Sequence, residues 1–362
     1  MTILRTAPVA AAGFAAAVLC LAGLSGAGSP ARSEQPRDDR VASAQPLEEF
    51  DDFGISQGFQ PLTLPDDRLG DLLDRVAATG STAIRLDLSW GQIQAGGRDA
   101  FDFANTIRVF DAAIERDLDV LPVTSGIPAW AGSIAPTSAA SYERFMYEAG
   151  KVLIPRGVTT VELWNEANLT GMSPATYTSR VLIPGAAGFR AAGKELGVDV
   201  SILSTGLAPS ATSGGFYSQL DFLTGVYEAG GRGSFDAVAT HPYTWPDNPA
   251  ISTPWNWLHN TVQLRDLMVS HGDADKQIWA TEFGYPTNFG SRGITEVRQA
   301  RYLQTGVDLW TSVDWTGPLF FYSFQDLTPR DADPENNFGL LRSDGTPKPA
   351  LAVVMRIIAV GR

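Results

Sequence analysis

From Phe50 onward the chain alternates eight short apolar runs with stretches whose apolar residues recur at helical spacing, and few architectures accommodate that rhythm. The runs are Phe53–Ser56, Ala83–Leu88, Val120–Thr124, Thr160–Asn165, Val200–Ser204, Ala237–Thr240, Gln277–Thr281 and Leu319–Ser323. Most are apolar on both faces, as parallel strands covered by helices must be. Between them, residues 103–117 place Ile107, Phe110 and Ile114 on one helical face, and residues 141–153 do the same with Phe145, Ala149, Val152 and Leu153. Ser173-Pro174 reads as an N-cap with proline at the first helical position, and a last helix runs through "KPALAVVMRIIAV". Eight strands, each followed by a helix, predict a (β/α)8 barrel, the TIM-barrel architecture, as a single domain. An open doubly wound sheet is the alternative. It would carry a glycine-rich phosphate loop after its first strand, and "GISQGFQPL" is not one.

The amino terminus follows another logic. Arg5 precedes the alanine-rich apolar run "VAAAGFAAAVLCLAGL" (residues 9–24), and small residues follow in "SGAGSPARS". This is the pattern of a secretory signal peptide, assigned to residues 1–33. The run is slightly short for a spanning helix, and an uncleaved membrane anchor is the alternative. Residues 34–48, "EQPRDDRVASAQPLE", read as a linker. The folded domain is expected over 49–362, secreted or held at the cell envelope. The one cysteine, Cys20, lies inside the apolar run. A cleaved chain therefore has no disulfide, thiol nucleophile or zinc-thiolate site.

A formal net charge of −13 disfavours a nucleic-acid partner. No two of His241, His259 and His271 stand at metal-ligand spacing, and no G-x-S-x-G elbow occurs. "HGDADKQ" (271–277) and "DADPENN" (331–337) resemble fragments of calcium loops without the full pattern. No cofactor or metal is expected, and the chain is expected to act as a monomer.

In a barrel of this kind, functional groups gather at the carboxyl ends of the strands. There the sequence places Arg85 and Trp90 (strand two), Trp130 (strand three), Trp164, Asn165 and Glu166 (strand four), His241, Tyr243 and Trp245 (strand six), Glu282 (strand seven) and Tyr322 (strand eight). Two carboxyl groups, Glu166 and Glu282, thus stand at strand ends among aromatic rings. Such a pair is the machinery of glycosidic bond cleavage, one group protonating the leaving oxygen and the other attacking or stabilising the sugar cation. Strand alternation would put Trp164 and Glu166 on one face and Asn165 on the other. Arg85, if buried, must pair with a carboxylate. Taken singly, Trp90, Trp130 and Trp245 are more often core or rim packing than sugar platforms. Trp255 and Trp257 are not assigned to the site.

With these residues in view, the chain resembles the clan A glycoside hydrolases, (β/α)8 retaining enzymes with their two glutamates on strands four and seven. "ELWNEANL" is similar to the strand-four signature, and "IWATEFGYPT" to the strand-seven segment. The resemblance implies Glu166 as acid/base, Asn165 as a ligand of the sugar 2-hydroxyl and Glu282 as nucleophile. It implies that His241 lines the subsite, that Tyr243 bonds the nucleophile, and that Arg85 in "AIRLDLSW" keeps the nucleophile ionised. "IRLDLSWGQIQ…FDF…FDAAIERDLDVLPVTSGIPAWA" is similar to glycoside hydrolase family 39, the expected build being that of its compact, exopolysaccharide-cleaving members without an added β-sandwich. Strand eight reads "FFYSFQD" where many clan members place a tryptophan, leaving Phe321 or Tyr322 as the subsite floor. The substrate implied is a polysaccharide or oligosaccharide. A glycan-binding barrel without activity and a transglycosylase with the same machinery are the alternatives.

Overall fold

The computed structural model describes residues 50–132 and 139–361. The expected signal segment (1–33), the linker (34–48) and Cys20 lie outside the described residues.

Eight strands form one sheet: β1 (Phe53–Gly58), β2 (Ala83–Ser89), β3 (Asp119–Ser125), β4 (Thr160–Glu162), β5 (Ser201–Leu203), β6 (Val238–Thr240), β7 (Ile278–Phe283) and β8 (Thr316–Tyr322). All their pairings are parallel, in the order β5-β4-β3-β2-β1-β8-β7-β6. Bridges between Leu203 and Ala237 and between Leu207 and Thr240 join the two ends of that order. A sheet that meets itself in parallel, with a helix after each strand, is a (β/α)8 barrel.

The major helices are α1 (Asp66–Ala77), α2 (Ala104–Ile114), α3 (Ala139–Leu153), α4 (Ile183–Leu196), α5 (Gln219–Glu228), α6 (Trp257–Ser270), α7 (Glu296–Trp310) and α8 (Pro349–Val360). In α1, Leu69, Leu72, Leu73 and Val76 recur at helical spacing and are buried, with Asp66 and Asp67 in the first turn and Arg75 in the last. That stripe drives the helix onto the sheet, and those charges complement its dipole. Ser218, Asn256 and Thr295 cap α5, α6 and α7 by accepting a backbone N–H three residues on. Ser173 caps the short helix Pro174–Tyr177 in the same way.

Two apolar cores result. The larger lies between strands and helices. The smaller, of Ala83, Leu121, Leu203, Ala237, Ala239, Trp279 and Phe320, fills the barrel interior. Because side chains on a strand alternate, Arg85 stands on the inner face directly above Ala83. The plugged interior therefore forms the dry floor of the polar layer above it.

Candidate active site

That layer is organised by Arg85. Its Nε donates to Glu162 Oε2 at 2.7 Å, and its Nη2 donates to Glu162 Oε1 at 3.0 Å and to Asn165 Oδ1 at 2.7 Å. Its Nη1 donates to Glu282 Oε1 at 2.7 Å and to Ser56 Oγ at 3.3 Å. All five guanidinium hydrogens are thus used. Arg85 and Glu162 are fully buried. Burial opposes the Arg85 charge, but Glu162 and Glu282 outweigh it and hold the guanidinium protonated well above its ordinary range. Glu162 also accepts from the Gly206 amide at 2.9 Å and from Thr281 Oγ1 at 3.4 Å. The carboxylate partner that a buried Arg85 demands is therefore double, and one half of it, Glu162, was not assigned any role from the sequence.

Glu282 receives Arg85 on one oxygen and the Tyr243 hydroxyl on the other at 2.8 Å. The parallel register of β7 against β8 shifts between Ala280 and Phe283. Consecutive residues Thr281 and Glu282 can therefore both face the central cluster, which strict alternation forbids. Restricted hydration, with Glu282 adding like charge, drives the Tyr243 phenol well above its ordinary range and keeps it a donor. Farther out on β2, Asp87 accepts from Ser125 Oγ at 2.7 Å, and burial raises its pKa.

Glu166 departs from the expected geometry. Strand β4 ends at Glu162, and Trp164 (φ 79°) and Glu166 (φ 48°) both adopt left-handed backbone conformations. The expected alternation, with Trp164 and Glu166 on one face, is thereby corrected. Trp164 packs edge-on against Tyr142, 6.2 Å between ring centres, whereas Glu166 turns into the barrel mouth. There Glu166 Oε1 lies 2.9 Å from His241 Nδ1, which is also 3.5 Å from Glu282 Oε2. Burial of His241 opposes its charge, but Glu282 and Glu166 prevail and raise its pKa. The opposite ring nitrogen, Nε2, abuts Gly206, where a Cβ would fall 2.3 Å away.

The structure therefore brings together Arg85, Asn165, Glu166, His241, Tyr243 and Glu282. The aromatic residues divide. Trp90 is 0% exposed, bonded through its indole N–H to Gln94 Oε1 and packed on Trp130, Tyr142 and Phe145. Its expected contact with a ligand is corrected: it belongs to the core. Trp130 ties the β2 and β3 loops together by donating to the Gln94 carbonyl at 2.9 Å, with Arg98 over its ring. Phe321 is buried against Phe53, leaving half-buried Tyr322 beside Tyr243 and Phe338.

A cavity of about 580 Å3 opens beside Glu166, lined by Tyr243, Trp245, Asp247, Trp255, Trp257, Arg292, Glu335 and Phe338 among others. Trp255 and Trp257, left unassigned above, thus stand at the site after all. The β6–α6 loop carries them back over the mouth, a path that no local pattern foretells. Glu335 belongs to the "DADPENN" segment. Asp331 accepts there from Thr328, Asn336, Asn337 and the Asp333 amide, so its carboxylate organises the loop itself. The cavity wall limits hydration of the Glu335 carboxyl, and Glu282 and Glu166 repel its charge; together they push its pKa up to about 7.

One atom each of Glu166, His241 and Glu282 lies within 4.8 Å of the others, close enough in principle for a metal ion. The guanidinium already bonded to Glu282 opposes a second cation there.

The fold and site together define a (β/α)8 barrel with two glutamates at its mouth, one anchored by arginine and tyrosine and the other open to a cavity. No protein-family model matches the sequence, and no curated protein matches it. Solved structures do. A family 39 glycoside hydrolase from the gut symbiont Bacteroides cellulosilyticus WH2 superposes with a TM-score of 0.66 at 23% identity, over 85% of this chain and 63% of that one. The GH39 enzyme from Xanthomonas axonopodis pv. citri gives 0.66 at 16% identity, over 88% and 68%. A GH5_18 protein from Streptomyces cattleya in complex with Manb1-4GlcNAc gives 0.67 at 17% identity, over 85% and 80%. This chain thus spans less than two thirds of the Bacteroides protein. The likeness is one of fold.

Proposed function

We propose that this protein is an exported, retaining glycoside hydrolase acting on a polysaccharide or oligosaccharide, as a monomer. The observation that carries the reading is the pair Glu166, just past β4, and Glu282, near the end of β7, with one oxygen of each and one ring nitrogen of His241 within 4.8 Å of one another. Inversion needs carboxyl groups roughly 6.5–9.5 Å apart to admit a water, and retention needs about 5–5.5 Å. The barrels of similar build that cleave glycosidic bonds support the same chemistry.

Glu282, ion-paired with Arg85, attacks the anomeric carbon. Glu166 gives its proton to the departing oxygen as that bond breaks. The resulting glycosyl ester on Glu282 is hydrolysed by water, whose proton returns to Glu166. His241 and Glu166 share a hydrogen across 2.9 Å, which orients the Glu166 carboxyl toward the barrel mouth. Tyr243 and Arg85 hold Glu282 from two sides and fix its aim.

The test is a panel of dinitrophenyl glycosides and natural glycans. Glu282→Ala should lower turnover of every substrate by a factor on the order of a thousand or more, with the fold retained. Glu166→Ala should cost about a hundredfold or more on natural glycans and far less on the dinitrophenyl series, whose leaving groups need no proton. Undiminished activity in Glu282→Ala would remove the nucleophile assignment. Binding without turnover by the native protein would leave a glycan-binding barrel in its place.

A further inference from the structure

The cavity beside Glu166 does not include Glu282, Arg85 or Asn165. It therefore adjoins the carboxyl that, on the reading above, protonates the leaving oxygen. On that reading, the cavity receives the group attached to that oxygen. Its volume, about 580 Å3, falls in the range of roughly 300–1,000 Å3 that holds a drug-sized ligand and exceeds what one sugar ring fills.

Its aromatic walls are not equivalent. Tyr243 is committed to Glu282 through its hydroxyl. Trp245 has Arg292 lying over its ring at 4.1 Å and the edge of Phe338 at 6.1 Å, so one of its faces is covered. Phe338 is buried. Trp257 is half-buried and meets Trp255 edge to face at 5.9 Å. Trp255, by contrast, is 57% exposed. Trp255 lines the cavity with Trp257 beside it, so its exposed indole offers an apolar face to whatever enters there. Asp247, Arg292 and Glu335 line the same cavity and supply acceptors and donors. A cavity that combines an apolar platform with hydrogen-bonding groups matches a pyranose, which has a C–H face and a hydroxyl edge.

We propose that Trp255 is the stacking platform for a sugar beyond the one attached to the scissile oxygen, so that the leaving group is an oligosaccharide of pyranose units. This rests on the glycosidase reading for its direction, whereas the platform itself is a binding site that can be measured alone.

The experiment uses the full protein carrying Glu282→Gln, so that ligands survive, and titrates cello-, manno-, xylo- and chito-oligosaccharides of increasing length by calorimetry and tryptophan fluorescence. At least one series should bind more tightly with length. Adding Trp255→Ala should weaken the longest member about tenfold while changing the shortest little, and Trp255→Phe should restore part of the loss. In the active protein, Trp255→Ala should lower kcat/KM about tenfold on the longest substrates and change it little on the shortest. Equal loss for short and long ligands, no length dependence in any series, or an unchanged Trp255→Ala titration would overturn the platform. Trp255-dependent binding in a protein that cleaves none of the four series would instead keep the platform and remove the hydrolase reading.

Discussion

Replacing Glu162 by glutamine tests whether the buried layer is built as described. Glu162 is 0% exposed and takes two hydrogen bonds from Arg85, at 2.7 and 3.0 Å, and one from the Gly206 amide at 2.9 Å. Glutamine has the same shape. Its carbonyl oxygen can still accept from Gly206 and Arg85 Nη2, but its amide would point hydrogens at Arg85 Nε–H. One charge-assisted bond is lost outright and the other weakened, and Arg85 keeps one anionic partner instead of two. Breaking a buried pair on one side costs about 3–5 kcal/mol. A domain of this size loses roughly 2 °C of Tm per kcal/mol. The expected fall is therefore roughly 6–10 °C, read by circular dichroism melting. Glu282 keeps Arg85 Nη1 and Tyr243, so turnover well below Tm should fall only modestly, and far less than in Glu282→Gln. A variant with native Tm and abolished turnover would refute the argument, because Glu162 would then act in the chemistry. A native Tm with native turnover would refute the energetic account of the layer.

Two further perturbations probe the same neighbourhood. Gly206→Ala would set a Cβ 2.3 Å from His241 Nε2 and 2.7 Å from Glu162 Oε1, neither of which can retreat. It should cost about 1–3 kcal/mol in denaturant unfolding, whereas Gly233→Ala, with nothing within 4 Å, should be near neutral. His241 has a folded-state pKa raised above its ordinary 6.5, chiefly by Glu282 and Glu166 acting against burial. A raised pKa means stabilisation that is fully present below the unfolded value and lost as pH climbs through the folded one. The Tm advantage of the native protein over His241→Gln should thus be largest in mild acid and shrink toward alkaline pH. Parallel curves would contradict the assignment.

The barrel was legible because each strand is an apolar run with helical spacing on either side, and those patterns survive in isolation. Where the sequence misled, a tertiary contact had overridden a local sign. The last strand is expected from Leu319, yet β8 begins at Thr316. Gly317 is there because the Trp279 indole lies 2.4 Å from where its Cβ would be, and its carbonyl accepts from Trp310 Nε1 at 2.9 Å. The convergence of Arg85, Asn165, Glu166, His241, Tyr243 and Glu282 was legible because polar and aromatic types at successive barrel strand ends meet at one mouth. Glu162 was not, although a carboxyl inside an apolar strand carries its own signal: it must be paired, and Arg85 posed the matching demand. Glu335, Trp255 and Trp257 had no such sign. Trp255 and Glu335 sit on long connections and Trp257 opens α6, and only the return of those connections over the mouth puts them at the cavity.

The end of β4 explains how one short segment serves two needs. Had the strand continued extended through Asn165, Trp164 and Glu166 would share a face, and burying the indole would bury the carboxyl with it. The left-handed conformations at Trp164 and Glu166 separate them, sending the ring to Tyr142 and the carboxyl to His241. Each such conformation costs on the order of 1–3 kcal/mol and persists only where neighbours enforce it. Those neighbours are visible. Thr124 Oγ1 on β3 accepts from the Trp164 amide at 2.7 Å, the Gly206 carbonyl from the Glu166 amide at 3.1 Å, and Thr205 Oγ1 from the Ala167 amide at 3.1 Å. The Tyr177 hydroxyl donates to the Leu163 carbonyl at 2.9 Å. The position of Glu166 is therefore fixed by β3, by the segment after β5 and by the helix that follows β4, more than by its own strand. A backbone held from three sides on a strained turn keeps its place as the cavity beside it fills and empties, which is what the proton transfer proposed for Glu166 requires.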